Sequence, residues 1–289
     1  MKFIQKYSHL ILLFFVIGVF AVLYPSSKTF LSVDRCVPPK DISVQIQLPI
    51  LMYHYVEYVK DDNDFIRKSL NIEPHVFEAQ LVSLKEGGYT FIKMNEVPRI
   101  LASLKTAKEN SYCNDEKPLP PTPKYVAITF DDGYEDFYTD VLPILKKHKV
   151  PATNYIVANF IGKPNYLTNA QMQELATNPL IEIGSHTLNH ATLTSLSSDG
   201  VKWEVIGAKD MLEKEYGVVV ESFAYPYGYH STDIAQIVDG SGHTNAVTTE
   251  QGNTFTDSQV FLLPRLRPGI LTGTDLKTYI TKESYPKTN

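Results

Sequence analysis

The sequence predicts an α/β chain built on a parallel sheet, and three observations carry that expectation. From Tyr125 onward, short apolar runs of strand length alternate with longer runs of helical period, the pattern of repeated βα units. About 250 residues remain once the N-terminal segment is set aside, enough for one large domain of this kind. The residues richest in chemistry also fall just after the strand-like runs: His54, Asp131 and Asp132, His186 and His190, and Tyr227. In parallel barrels functional side chains gather at the C-terminal ends of strands.

The elements follow in order. Residues 1–24 read as an export segment and 25–47 as a tether containing Pro25, Pro38 and Pro39. Gln47–Val56 is apolar enough for a first strand, and the polar residues 57–73 read as a loop. Pro74–Glu86 is a predicted helix with Phe77, Leu81 and Leu84 on one face and Gly87-Gly88 as its stop. Tyr89–Ile92 reads as a strand and Asn95–Lys105 as a helix. Residues 106–124 read as a Pro-rich surface loop. Strands are then expected at 125–130, 152–157, 180–184, 218–224, 244–248 and 261–267. Helices are expected near 138–149, 168–177, 199–216, 231–239 and 274–283. The domain proper is placed at 48–289, with a polar, fraying end from Lys282.

Lys2 and Lys6 precede fifteen uncharged residues, Leu10–Tyr24. A basic start followed by an apolar run is an export signal. Fifteen residues is short of the about 20 that span a hydrocarbon core, yet no small-x-small cleavage pattern follows. Attachment to a membrane as a signal anchor and cleavage to a secreted form both fit. The expected location is extracytoplasmic, periplasmic or at the cell surface. There Cys36 and Cys113, the two cysteines, can pair or remain separate thiols. A net charge of -5 without a long basic run argues against nucleic acid as a partner.

The chemistry centres on Thr129-Phe130-Asp131-Asp132-Gly133. Adjacent carboxylates at a strand end repel each other and resist burial, a cost that a cation removes. Ser185-His186-Thr187-Leu188-Asn189-His190 offers two imidazoles at i and i+4, one side of a helical turn. One carboxylate with two imidazoles leaves open positions on a metal, the arrangement of catalytic sites. The other carboxylate is then free to act as a base. A donor set of this kind suits zinc, and cobalt or nickel also.

These residues resemble the polysaccharide deacetylases of carbohydrate esterase family 4. The match runs from Leu51-Met52-Tyr53-His54 through Thr129–Gly133, His186-x-x-x-His190 and Phe223-Ala224-Tyr225-Pro226-Tyr227-Gly228 to Leu263-Pro264-Arg265. The resemblance implies a distorted (β/α) barrel of about seven strands. It implies Asp132, His186 and His190 as ligands of a divalent metal, Zn2+ with Co2+ or Ni2+ as alternatives, and Asp131 as the base. The backbone N–H of Tyr227 would stabilise the oxyanion. The chain departs from the family in two places. No histidine follows His243, so a late general acid is missing, and His54 is the expected substitute. Ala224 stands where the family carries the arginine that orients the base, and Arg265 is a candidate for that duty or for a plain ion pair. Trp203 is expected to pack on an outer helix. No role falls to His9, His75, His148, His230 or His243.

Met52-Tyr53-His54 and Ala224–Gly228 look most similar to the branch that deacetylates poly-N-acetylglucosamine of biofilms. The implied reaction is removal of N-acetyl groups, with acetate released, from an extracytoplasmic N-acetylglucosamine polymer. Peptidoglycan, chitin oligomers and xylan esters are alternative substrates, and a non-catalytic carbohydrate-binding protein is an alternative class. A complex of polysaccharide synthesis or export is a further expected partner.

Overall fold

The computed structural model describes residues 37–61, 63–114 and 123–282. The export segment 1–24, the first part of the tether, and Cys36 lie outside the described residues. Among the described residues no helix is long and apolar enough to cross a membrane.

Twelve strands are described: β1 (Gln45–Gln47), β2 (Ile50–Tyr53), β3 (Tyr55–Val56), β4 (Asn71–Ile72), β5 (Thr90–Ile92), β6 (Tyr125–Phe130), β7 (Ala152–Ile156), β8 (Ile181–Ser185), β9 (Ser222–Ala224), β10 (Asn245–Gln251), β11 (Thr254–Thr256) and β12 (Leu263–Arg265). Seven of them, β2-β6-β7-β8-β9-β10-β12, run parallel in that order. The ring nearly closes just past β12: Met52 donates its N–H to the Leu266 carbonyl at 2.9 Å, and Leu266 donates to that of Ile50 at 2.8 Å. Ala127 is partnered by both Ile50 and Ile92. β5 therefore lies on the side of β6 away from β2 and fills the lower part of the seam towards β7. This is the seven-stranded parallel barrel that the resemblance implies.

Strand alternation sorts side chains into two layers. Ile50, Ala127, Tyr155, Ala224, Val247 and Leu263 point into the barrel. Leu51, Tyr53, Val126, Ile128, Phe130, Ile181 and Ile183 point outward to the helices. Low in the barrel the buried Glu182 accepts from Thr153 Oγ1 (2.7 Å), Ser222 Oγ (2.5 Å) and the Asn95 N–H (3.1 Å). Burial raises its pKa, the expected response of a carboxyl removed from water. Gly184 sits one step above on the same face. A Cβ there would meet Tyr155 Cδ1 at 2.5 Å and the Ser222 carbonyl at 3.1 Å. Both are fixed in the wall, so Gly184→Ala is expected to lower stability by about 1–3 kcal/mol through overpacking. Denaturant unfolding checks this; an unchanged midpoint would show that the wall yields.

Several predicted bounds shift, each for a local reason. The helix expected to stop at Lys105 continues as Val97–Asn114. Residues 106–114 contain neither Pro nor Gly, so a polar, solvated helix carries on past its apolar stripe. The predicted loop 57–73 contains a helix, Phe65–Leu70, capped by Asp64 Oδ1 accepting from the Arg67 N–H at 2.9 Å. That helix buries no residue, so no apolar period announced it. The first strand is broken into β1, β2 and β3, with Pro49, which has no N–H to donate, between the first two. The fold takes up the chain before residue 48: β1 pairs antiparallel with β11, and Val44 and Ile46 are buried. β9 begins only at Ser222. Trp203, expected to pack, is 70% exposed, whereas His243, expected in a polar setting, is buried.

Candidate active site

The C-terminal ends of β2, β6, β8, β9 and β10 surround a cavity of about 510 Å3, lined among others by His54, Asp131, Asp132, His186, His190, Tyr227, Thr249 and Arg267. Six of the seven predicted site residues line this one space, and the seventh, Arg265, contacts Asp131 from inside the barrel wall.

Asp132, His186 and His190 offer ligand atoms that all lie within 4.8 Å of one another. Each imidazole Nε2 is 3.4 Å from Asp132 Oδ1. The Nδ1–H of His186 donates to the Ala224 carbonyl at 2.7 Å, which leaves Nε2 facing Asp132. Burial, with the adjacent His186, pushes the His190 pKa down to about 4, so this imidazole presents a lone pair at neutral pH. Burial opposes charge on His186 too, but its hydrogen bond with Asp132 raises its pKa overall. Three convergent N and O donors of this kind fit a divalent metal with open coordination positions.

The two histidines do not share a helical turn as their spacing suggested. β8 ends at Ser185, and the chain reverses through Thr187 (φ 68°) and His190 (φ 57°). Glu204, buried on the helix Ser198–Tyr216, holds this turn. Its carboxylate accepts from the Asn189 N–H (2.9 Å) and Asn189 Nδ2 (2.8 Å), and its carbonyl from the Leu188 N–H (3.1 Å). Glu204 carries no motif signal because its partner lies on a distant turn. Asp132 (φ 77°) and Tyr227 (φ 59°) are also left-handed. Four of the six non-glycine residues of positive φ among the described residues thus lie at the site, where backbone strain tends to concentrate.

Asp131 is held by Arg265. Nη1 donates to Oδ1 and Nη2 to Oδ2, both at 2.7 Å, while Nε donates to the Thr248 carbonyl at 2.8 Å. The guanidinium is almost wholly buried. Burial works to raise the Asp131 pKa, but the charge and paired hydrogen bonds of Arg265 override it and hold the carboxyl well below the usual range. The chain thus places on Asp131, from β12, the guanidinium that position 224 does not supply. His54 Nε2 is 4.0 Å from Asp131 Oδ2, and burial lowers the His54 pKa. Tyr227 lies edge-on to His190, with ring centroids 4.5 Å apart. Gly228 behind it approaches Thr249 so closely that a Cβ would lie 2.0 Å from Oγ1, so the Pro226–Gly228 turn requires glycine there. Arg267, Tyr134 and Tyr166 also line the cavity. Sequence reasoning did not single them out. The alternation Leu263, Arg265, Arg267 was the available signal for the first.

A nearly closed parallel barrel with a strand-end Asp-His-His cluster beside a buried Arg-Asp pair has the architecture of a metal-site hydrolase. Comparison with known proteins makes this specific. Residues 119–246 match the polysaccharide deacetylase family. YxkH of Bacillus subtilis (strain 168), assigned to the polysaccharide deacetylases, is 31% identical over 236 residues, covering 81% of this chain and 76% of the relative. The poly-beta-1,6-N-acetyl-D-glucosamine N-deacetylase of Staphylococcus aureus (strain MRSA252) is 25% identical over 251 residues, 79% of this chain and 81% of that protein. Among solved structures, the Streptococcus pyogenes deacetylase PplD in complex with acetate aligns with a TM-score of 0.69 and 29% identity, covering 84% of this chain and all of that one. The chain belongs to the polysaccharide deacetylase family and is an N-deacetylase of that family.

Proposed function

We propose that the chain removes N-acetyl groups from an N-acetylglucosamine polymer outside the cytoplasm, poly-β-1,6-N-acetylglucosamine being the substrate favoured. The observation that carries the reading is the placing of Asp131, Asp132, His186, His190 and His54 around one cavity, with Arg265 locked to Asp131. Support for the polymer comes from the named activity of the S. aureus relative, and support for acetate release from the acetate in the PplD complex. The Lys-flanked apolar N-terminus supports export, with membrane attachment and a synthesis or export complex as accompanying proposals.

Asp132, His186 and His190 would hold a divalent metal, zinc first by ligand type. Such a metal supplies a lowered pKa to a coordinated water and polarises a carbonyl. The chain's own groups then move the proton. Asp131, ionised and aimed by Arg265, accepts it as water attacks the acetamide carbonyl. A protonated Asp131 is a strong acid in this setting, because Arg265 disfavours its neutral form. His54 Nε2 is 4.0 Å away, beyond a direct hydrogen bond, so the proton reaches this neutral imidazole through one bridging water. His54 delivers it to the departing nitrogen as the C–N bond breaks. The Tyr227 N–H supports the oxyanion. The immediate products are the amine and acetic acid; the acid's proton passes to the amine, so acetate and an ammonium are left and the protons balance.

His54→Ala is expected to lower kcat by about 100-fold, the usual worth of a positioned acid, with metal content unchanged. Equal kcat in the variant would place the donor elsewhere. The reading itself is tested by acetate release from poly-β-1,6-N-acetylglucosamine, metal-stripped and with zinc, cobalt or nickel restored, beside peptidoglycan, chitin oligomers and acetylated xylan. Metal-restored release from the first polymer supports it; release from another alone moves the substrate. Bound metal with no release from any would favour a binding protein.

A further inference from the structure

Arg265 and Arg267 differ by two positions and have opposite circumstances. The ladder to β2 continues through Leu266, whose side chain points outward into the helical layer. Leu263, Arg265 and Arg267 therefore share the inward face. Arg265, lower, is buried and spent on Asp131. Arg267 is exposed to the cavity above it. Its guanidinium makes no ion pair or hydrogen bond with the described residues.

The acids of the cavity are already engaged elsewhere. Asp131 is paired by the Arg265 fork, and Asp132 faces His186 and His190. Arg267 lies on the His54 side, close enough for its charge to act on that imidazole. It is therefore an uncompensated, permanently charged cation at the place where a polymer must lie to react.

The reaction changes the charge of its own substrate. Each acetamide is neutral, and each amine it becomes is an ammonium at neutral pH. A cavity of about 510 Å3 is of the size that takes a drug-sized ligand. It holds more of a polymer than the acetamide that reacts. Resting on the polymer reading above, we propose that Arg267 is a specificity residue that repels sugar units already deacetylated. It directs the enzyme to acetylated stretches and makes deacetylation limit itself as ammonium groups accumulate. Two like charges several ångströms apart at a protein surface change binding by about tenfold, and salt weakens such a repulsion.

The test uses full-length enzyme and two oligomer sets, β-1,6- and β-1,4-linked, each fully acetylated or with alternate units as glucosamine. The first readout is the ratio of kcat/KM for the fully acetylated over the mixed oligomer. The second is equilibrium binding of the fully deacetylated oligomer, which needs no turnover. Arg267→Gln is expected to lower the ratio about tenfold and to tighten binding of the cationic oligomer by a similar factor. Arg267→Lys should behave like the parent. The parent's ratio should fall with rising salt while that of Arg267→Gln stays flat, a response that loss of mere packing would not produce. A Gln variant with the parent's ratio and the parent's affinity for the cationic oligomer overturns the proposal. Absence of acetate release from the β-1,6 set by the parent overturns the polymer reading instead. In that case the β-1,4 set and the binding measurement still decide the role of Arg267.

Discussion

Asp131→Asn is expected to retain its metal and lose turnover by 100-fold or more, within the roughly 10²–10⁴ that a positioned base supplies. The amide keeps the shape of the carboxylate and leaves Asp132, His186 and His190 in place, so the candidate metal donors are untouched. It cannot accept a proton. The substitution also leaves the buried Arg265 without a counter-charge, so stability falls and activity must be read well below the unfolding transition. Metal analysis beside initial rates separates the two effects. Asp132→Asn provides the contrast, because metal should then be lost together with rate. Full turnover in Asp131→Asn would remove it from the proton path and make His54 the next candidate base in the cavity.

The largest effect on stability is expected at the other end of the same ion pair. Arg265→Met removes a fork that satisfies both oxygens of a buried carboxylate. Breaking a buried pair from one side typically costs about 3–5 kcal/mol. The pH dependence carries the signature. In the parent, the Asp131 pKa is depressed below its unfolded value. Its contribution is therefore present above the ordinary carboxylate range and is lost as pH falls through the folded value. In Arg265→Met the main opposition to burial is gone, with only the weaker effects of His186 and His54 left, and the pKa moves up. The ionised form is then penalised only in the folded state. The stability deficit should be largest at neutral pH and shrink on acidification, and the acid limb of the rate profile should move to higher pH. Unfolding midpoints across pH check the first statement and kcat/KM profiles the second. A deficit independent of pH would mean that lost packing, and not the charge of Asp131, sets the cost. Arg265→Lys should recover charge but only part of the stability, since an ammonium cannot bridge both oxygens in the plane of the fork.

Much of this was legible in order along the chain. Strand-length runs marked β6, β7 and β8 within a residue or so, β6 most plainly, because a strand buried on both faces leaves a near-continuous apolar signature. The helix Pro74–Glu86 was readable from a period-matched apolar face ended by two glycines. Asp131, Asp132, His186 and His190 stood out because their types are costly together without a cation. The helix Phe65–Leu70 and the end of Val97–Asn114 were missed because they bury little. Period-based reading sees a helix only through its buried side.

By itself, the sequence determined what is local: which segments form strands, which carboxylates and imidazoles follow them, and the family those motifs resemble. The tertiary structure decided what depends on partners far apart in the chain. Arg265 orients Asp131 across 134 residues, Leu266 closes the ring on Ile50 and Met52, and Glu204 pins the turn that brings His190 to Asp132. It also decided that Arg267 faces the cavity without an ion-pair partner among the described residues. Periodicity and propensity act over a few residues, whereas hydrogen-bonded pairing and charge compensation are settled only when the barrel closes. That is why the sequence leaves Arg265 between an orienting residue and a plain ion pair, and only the closed wall shows its two nitrogens on the two oxygens of Asp131.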